Sequence, residues 1–217
     1  MTRGGEGRDP LRLPLVTPGL KVGLFGGSFN PAHAAHRDVS LLALKRLRLD
    51  RVWWLVSPGN PLKDNSRLPT LAERVAYARR VAAHPRIDVT GIEASLGTRY
   101  TFETVAALRA RAPQVRFVWI MGADNLTGFH RWQNWRDLAG LLPVAVVDRM
   151  GDSLSATASR AARALARYRV EESDAALLPT LPPPAWVFLH GMKSPLSSTR
   201  IRARAAGDSG GGVTASG

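Results

Sequence analysis

The stretch Leu20–His36, L-K-V-G-L-F-G-G-S-F-N-P-A-H-A-A-H, decides the fold. It opens as a strand-like apolar run over about 20–25. Gly26, Gly27 and Ser28 then predict a tight turn over 26–28. Asn30 is a suitable helix cap, and Pro31 suits the first helical position or the turn before it. Val39, Leu42, Ala43 and Leu47 recur at helical spacing, which carries a helix to about Leu49. His33 and His36 are three apart, so they share one face of its first turn. The order is strand, glycine turn, helix.

The same alternation continues outward along the chain. A strand is expected over Arg51–Ser57, ending in the loop Ser57-Pro58-Gly59-Asn60-Pro61, which also carries Lys63. Thr70 and Glu73 have capping-box spacing at the head of a second helix, which Pro85 ends. Ile87–Val89 reads as a short strand. A helix starts near Thr101, with Thr104 three residues on. Val115–Met121 is a nearly continuous apolar run of the kind found in buried parallel strands. Gly122-Ala123-Asp124 closes it, and short helical stretches come next over 125–129 and 132–142. Further strands are read at Pro143–Asp148 and Ala185–His190, with an Ala- and Arg-rich helical stretch over 153–169 and a proline-rich loop over 178–184 between them. Ser197-Ser198-Thr199 caps a last basic helix, Arg200–Ala206, stopped by Gly207. Strands alternating with helices predict an α/β fold with a parallel sheet. The expected organisation is one domain over 19–207, a flexible N-terminal extension over 1–18 and a disordered tail over 208–217.

Size and composition agree. The 217 residues suffice for a single sizeable core, with 45% hydrophobic and 22% charged residues. The absence of cysteine excludes disulfide scaffolds and thiolate metal sites. No apolar run reaches the ~18–20 residues of a membrane span, and residues 1–18 lack the apolar core of a signal peptide. A soluble, cytoplasmic protein is expected. The formal net charge of +13 points to an anionic ligand, although the arginines are spread along the chain and not clustered.

The chemistry concentrates in two places. Gly26 and Gly27 would let backbone N–H groups approach a ligand. The helix behind them offers N–H groups and a positive dipole end to an anion. Two imidazoles at its start can donate to phosphoryl oxygens. A lone histidine there more often caps the turn, but the pairing, at the carboxyl end of a parallel strand, favours a ligand role. The spacing fits neither a Walker A loop nor the dinucleotide G-x-G-x-x-G fingerprint. Leu196–Arg202, L-S-S-T-R-I-R, puts three hydroxyl residues and two arginines at another helix start, a second group of phosphate donors.

Gly26–Pro31 followed by His33-Ala34-Ala35-His36 resembles the H-x-G-H signature of the nucleotidyltransferase superfamily, and most closely its bacterial nicotinate-nucleotide adenylyltransferases. Ala35 stands where that family usually has glycine. Leu196–Arg202 is similar to the family's I-S-S-T-x-I-R motif. Gly122-Ala123-Asp124-Asn125-Leu126 with Phe129-His130-Arg131-Trp132 is similar to its G-x-D-x-L and F-x-x-W. Thr98–Thr101 resembles an S-Y-T segment, with Arg99 in place of the usual serine.

The resemblance implies a Rossmann-like open parallel sheet with helices on both faces, and transfer of the adenylyl group of ATP to nicotinate mononucleotide. It implies that His33, His36 and Arg202 are catalytic. Gly26, Gly27, Ser28, Phe29, Lys63, Ser198 and Thr199 would bind ATP and its phosphates. Tyr100, Thr101, Asp124 and Trp132 would bind the nicotinate nucleotide, with Asp124 on a ribose and Trp132 stacked on the pyridine ring. Mg²⁺ would arrive on ATP, with no protein metal site of its own. The nucleophile is a phosphate oxygen, already ionised near neutral pH, so no general base is expected. The implied partners are ATP and nicotinate mononucleotide, with neither membrane nor nucleic acid; homo-oligomerisation is left open. The rival readings are another superfamily member, such as phosphopantetheine adenylyltransferase or a cytidylyltransferase, and a basic nucleic-acid-binding module.

Overall fold

The computed structural model describes residues 9–59, 68–148 and 153–191. Among them the chain runs β1 (Lys21–Gly27), α1 (Ala34–Arg46), β2 (Arg51–Val56), α2 (Leu71–Ala82), β3 (Ile87–Thr90), α3 (Ile92–Leu96) and α4 (Thr101–Arg111). It continues through β4 (Arg116–Gly122), α5 (Ala123–Gly128), α6 (Trp135–Leu141), β5 (Val144–Asp148), α7 (Ser153–Thr157), α8 (Arg160–Ala164), β6 (Arg169–Val170) and β7 (Trp186–His190). Single 3₁₀ segments lie at Phe129–Arg131, Ala166–Tyr168 and Glu172–Thr180.

Every strand pairing among the described residues is parallel, in the order β3-β2-β1-β4-β5-β7-β6. From β1 the chain winds one way through β2 to β3, then crosses to β4 and winds the other way. The switch therefore falls between β1 and β4. In open α/β sheets the crevice for ligands opens there, outside the carboxyl ends of the strands. Here those ends are Gly27 and Gly122.

Strand alternation divides the core into two layers. Val22, Leu24, Trp53, Leu55, Phe117, Trp119 and Met121 pack on one face with Val105 and Leu108 of α4 and Leu138 of α6. Phe25, Val52, Trp54, Val56, Val118 and Ile120 pack on the other with Val39, Ala43 and Leu44 of α1 and Val75, Ala78 and Ala82 of α2. Trp53 and Trp54 are both fully buried, one on each face. By area, each stabilises the sheet by on the order of 4 kcal/mol.

Several boundaries differ from the sequence expectation. Gly26 and Gly27 are not a turn: β1 continues through both, and they pair with Leu55 and Val56. Helix α1 begins at Ala34 with His33 as its N-cap, so Asn30 and Pro31 belong to the turn before it. The first-turn partner in α4 is Glu103 and not Thr104: Arg99 and Tyr100 N–H donate to its carboxylate at 3.0 and 3.3 Å. Short elements were not anticipated, namely α3 and the two-residue β6, because neither is long enough to show a period.

Residues 9–18 do not trail away from the domain. Gly91 N–H donates to Pro10 O at 2.7 Å and Thr90 Oγ1 to Arg12 O at 2.9 Å, while Leu13 and Val16 pack against the core. The exposed edge of β3 gains backbone and hydroxyl partners this way.

Candidate active site

The start of α1 is built from aromatic packing. Phe29 is 2% exposed and has φ of 46°, a left-handed conformation that costs a bulky residue on the order of 1 kcal/mol or more. Its ring stacks on Trp54 with centroids 4.9 Å apart and meets Phe25 edge-on at 6.0 Å. Those contacts hold the turn. The Phe29 side chain is therefore core.

His36 sits against the same group, 4.9 Å from the Phe29 ring and 3.9 Å from the His33 ring, centroid to centroid. His36 Nδ1 accepts the His33 backbone N–H at 3.2 Å. An imidazole nitrogen that accepts carries no proton, so the proton of the neutral ring is on Nε2, where it makes His36 a donor. His33 is 6% exposed. Trp54 Nε1 donates to Ser40 Oγ at 2.7 Å, and Ser40 Oγ donates to His36 O at 2.8 Å, which fixes the first helical turn to β2. Ala35 is 1% exposed, so its methyl group is covered and helps seat the helix.

Packing requires glycine at position 26, whereas position 27 has room for a Cβ. A Cβ on Gly26 would lie 2.6 Å from the indole of Trp119, and one on Gly27 would lie 3.4 Å from the Phe29 ring. Trp119 also meets Trp132 edge-on at 6.3 Å. The Trp119 indole thus lies between Gly26 and Trp132.

The other candidate residues lie on segments that follow β3 and β4 in the chain. Asp124 is exposed in the first turn of α5, directly after the carboxyl end of β4. Trp132 is half-buried against Phe129, with centroids 5.4 Å apart. Tyr100 is the N-cap of α4 and Thr101 its first residue, both partly exposed. Thr98 and Thr104 share a hydroxyl hydrogen bond of 2.8 Å that steadies this segment. In α3, burial pushes the Glu93 carboxyl up to about 7. His33, His36, Gly26, Gly27, Ser28, Asp124 and Trp132 thus gather around the carboxyl ends of β1 and β4. Lys63, Ser198, Thr199 and Arg202 lie outside the described residues.

One residue of this edge was missed in the sequence. Arg74 of α2 is 3% exposed. Its Nη1 donates to Ser28 O at 2.8 Å and to Ser57 O at 2.7 Å, its Nη2 to Pro58 O at 2.8 Å, and its Nε to Pro69 O at 3.0 Å. None of these acceptors is a carboxylate, and burial lowers its pKa from the ordinary arginine value. A signal was available: Leu71, Arg74, Val75, Ala78 and Ala82 form the core-facing stripe of the helix, and an arginine in that stripe needs buried acceptors.

Residues 24–204 match the model of the cytidylyltransferase-like family. A protein of Bradyrhizobium sp. (strain ORS 278), named a probable nicotinate-nucleotide adenylyltransferase, is 61% identical over 84% of this chain and 95% of its own length. One of Methylorubrum extorquens, with the same name, is 58% identical over 85% of this chain and 100% of its own. Among solved structures, the nicotinic acid mononucleotide adenylyltransferase of Plasmodium falciparum, complexed with NaAD, superposes with a TM-score of 0.60 at 15% identity. That match covers 85% of this chain and 83% of the other, a likeness of fold. No helix among the described residues is long and apolar enough to cross a membrane. With a family model covering most of the chain and relatives matched along nearly their whole length, the chain belongs to the cytidylyltransferase-like family and, within it, to the nicotinate-nucleotide adenylyltransferases.

Proposed function

We propose that the carboxyl edge of β1 and β4 transfers the adenylyl group of ATP to nicotinate mononucleotide, giving nicotinate adenine dinucleotide and pyrophosphate. The observation that supports this most directly is the start of α1. It combines an N-terminal helix dipole, a backbone turn and an imidazole whose proton is held on Nε2 by the His33 N–H.

In the proposed reaction an ionised 5′-phosphate oxygen of the mononucleotide attacks the α-phosphorus of ATP in line. The bond from that phosphorus to the bridging oxygen breaks, and the electron pair leaves with pyrophosphate. No proton need be removed from the nucleophile, so the task of the protein is positioning and charge stabilisation. His33 and His36 stabilise charge on the α- and β-phosphates, assisted by backbone N–H groups after Gly27. Ser198, Thr199, Arg202 and Lys63 complete the phosphate contacts. Asp124 holds the ribose of the mononucleotide, Trp132 stacks on its pyridine ring, and Tyr100 and Thr101 receive the carboxylate. Mg²⁺ enters as part of the ATP substrate and offsets phosphate charge. Both substrates are multiply charged and do not cross a bilayer unaided, which supports a cytoplasmic location for the activity.

Pyrophosphate release with nicotinate mononucleotide, nicotinamide mononucleotide and phosphopantetheine side by side tests the reading. The nicotinate nucleotide is expected to be the best substrate; equal or better use of phosphopantetheine overturns the assignment. His36→Ala is expected to lower turnover by about 10²–10⁴-fold with its circular dichroism spectrum unchanged. Wild-type turnover in that variant removes His36 from the reaction.

A further inference from the structure

We infer that Arg74, which touches no substrate, is the positioning residue of the ATP site: it orients the Ser28–Phe29 peptide. The inference rests on the reading of this edge as the phosphate site. A peptide group is planar and trans, so its carbonyl and the following N–H point in opposite directions. Arg74 Nη1 holds the Ser28 carbonyl at 2.8 Å. The Phe29 N–H is thereby turned away from the guanidinium. Phe29 is also the residue held at φ of 46°, a conformation that its neighbours must maintain. Aromatic packing fixes its ring, and the Arg74 bond fixes the peptide plane on its N-terminal side.

The same Nη1 bonds Ser57 O, and Nη2 bonds Pro58 O. Ser57 N–H in turn donates to Gly27 O at 3.0 Å. The ends of β1 and β2 are thus clamped to each other and to the residue before Thr70 through one side chain. Only a guanidinium offers enough donors in a rigid plane to span four carbonyls; an ammonium is a compact point charge with three. Because the acceptors are neutral, the Arg74 charge is not cancelled by them. It stands one residue behind the turn and adds to the positive field at the start of α1.

The test is steady-state pyrophosphate release with each substrate varied in turn, on wild type, Arg74→Lys, Arg74→Ala and Arg80→Ala. Arg80 is exposed on the same helix and controls for loss of charge. Arg74→Lys is expected to raise KM for ATP about tenfold and leave KM for nicotinate mononucleotide within about twofold. Arg74→Ala is expected to lose about 100-fold in kcat/KM for ATP, with partial recovery on adding millimolar guanidinium and none with equal sodium chloride. Arg80→Ala is expected to match wild type. If Arg74→Ala does not fold, Arg74→Lys decides alone. The inference is overturned if Arg74→Lys keeps the wild-type KM for ATP, if both KM values rise together, or if Arg80→Ala reproduces its effect. A wild type that releases no pyrophosphate from ATP and nicotinate mononucleotide overturns the parent reading instead.

Discussion

Helices α1 and α2 start at the same edge of the sheet with the same hydrogen bond and different charge. In α2 the third residue, Glu73, accepts the Thr70 N–H at 2.8 Å, and its hydroxyl at 2.7 Å. In α1 the third residue, His36, accepts the His33 N–H at 3.2 Å. Helix α4 behaves like α2, with Glu103 taking N–H groups of Arg99 and Tyr100. A carboxylate at this position closes the helix and cancels its positive end. An imidazole closes it without negative charge, and no acid stands in the first turn of α1. Of these three helix starts, two are neutralised and the one beside β1 stays attractive to an anion.

The strongest test of this contrast is to give α1 the residue that the other helices use. His36→Glu keeps the acceptor, so the helix is expected to persist and the melting temperature to stay near wild type. A carboxylate facing phosphate, with the Nε2 donor gone, is expected to lower kcat/KM by about 10³-fold or more. A variant that still turns over well would show that the charge of the box does not matter. A pyrophosphate assay paired with a thermal melt reads both.

The next effect concerns a half-buried acid at a helix start. Glu93 lies in the first turn of α3, and burial raises its pKa to about 7. A carboxyl with a raised folded-state pKa binds its proton more tightly in the fold. The resulting penalty is absent below the ordinary carboxylate range and grows as pH rises through about 7. Wild-type stability should therefore fall across that window. Glu93→Gln is expected to stabilise the protein by about 1–2 kcal/mol near pH 8 and to change nothing near pH 4, checked by denaturant titration at both. Equal effects at the two pH values would show that folding does not shift the Glu93 pKa.

Ala35 sharpens the comparison inside α1. Its buried methyl group belongs to the helix packing, so Ala35→Gly is expected to cost about 1 kcal/mol through helix propensity and lost burial, with turnover unchanged. A gain in turnover would mean that the methyl group obstructs a ligand. The smallest effect belongs to α2. Hydrogen bonds from Thr70 hold the Glu73 carboxyl below its ordinary pKa, so its contribution is present at neutral pH and lost as pH falls through that lowered value. Glu73→Gln should lower the melting temperature slightly near pH 7, not at all in acid, and leave turnover untouched.

The legible parts of this site were those written in adjacent residues. The spacing of His33 and His36, the Thr70–Glu73 box and the apolar runs of β2 and β4 each report a local conformation. The alternation of strand and helix then implies a parallel sheet and a site at its carboxyl edge. Gly26 shows the limit. It reads as a turn glycine, yet it is a strand glycine whose size is set by Trp119 on the next strand. Trp132 likewise depends on Trp119 and Phe129 for its place.

By itself the sequence determined the fold class, the order of the longer elements and the two histidines at the head of α1, because caps, periodicity and strand runs act over a few residues. Only the tertiary structure decided that those histidines close their helix without an acid, that Phe29 is core, and that Arg74 clamps the turn. Its bond to Ser28 joins residues 46 apart in the chain. Such a contact leaves no local pattern beyond an arginine in an apolar stripe. Its acceptors are backbone carbonyls, which every residue carries, and folding alone selects which of them it meets.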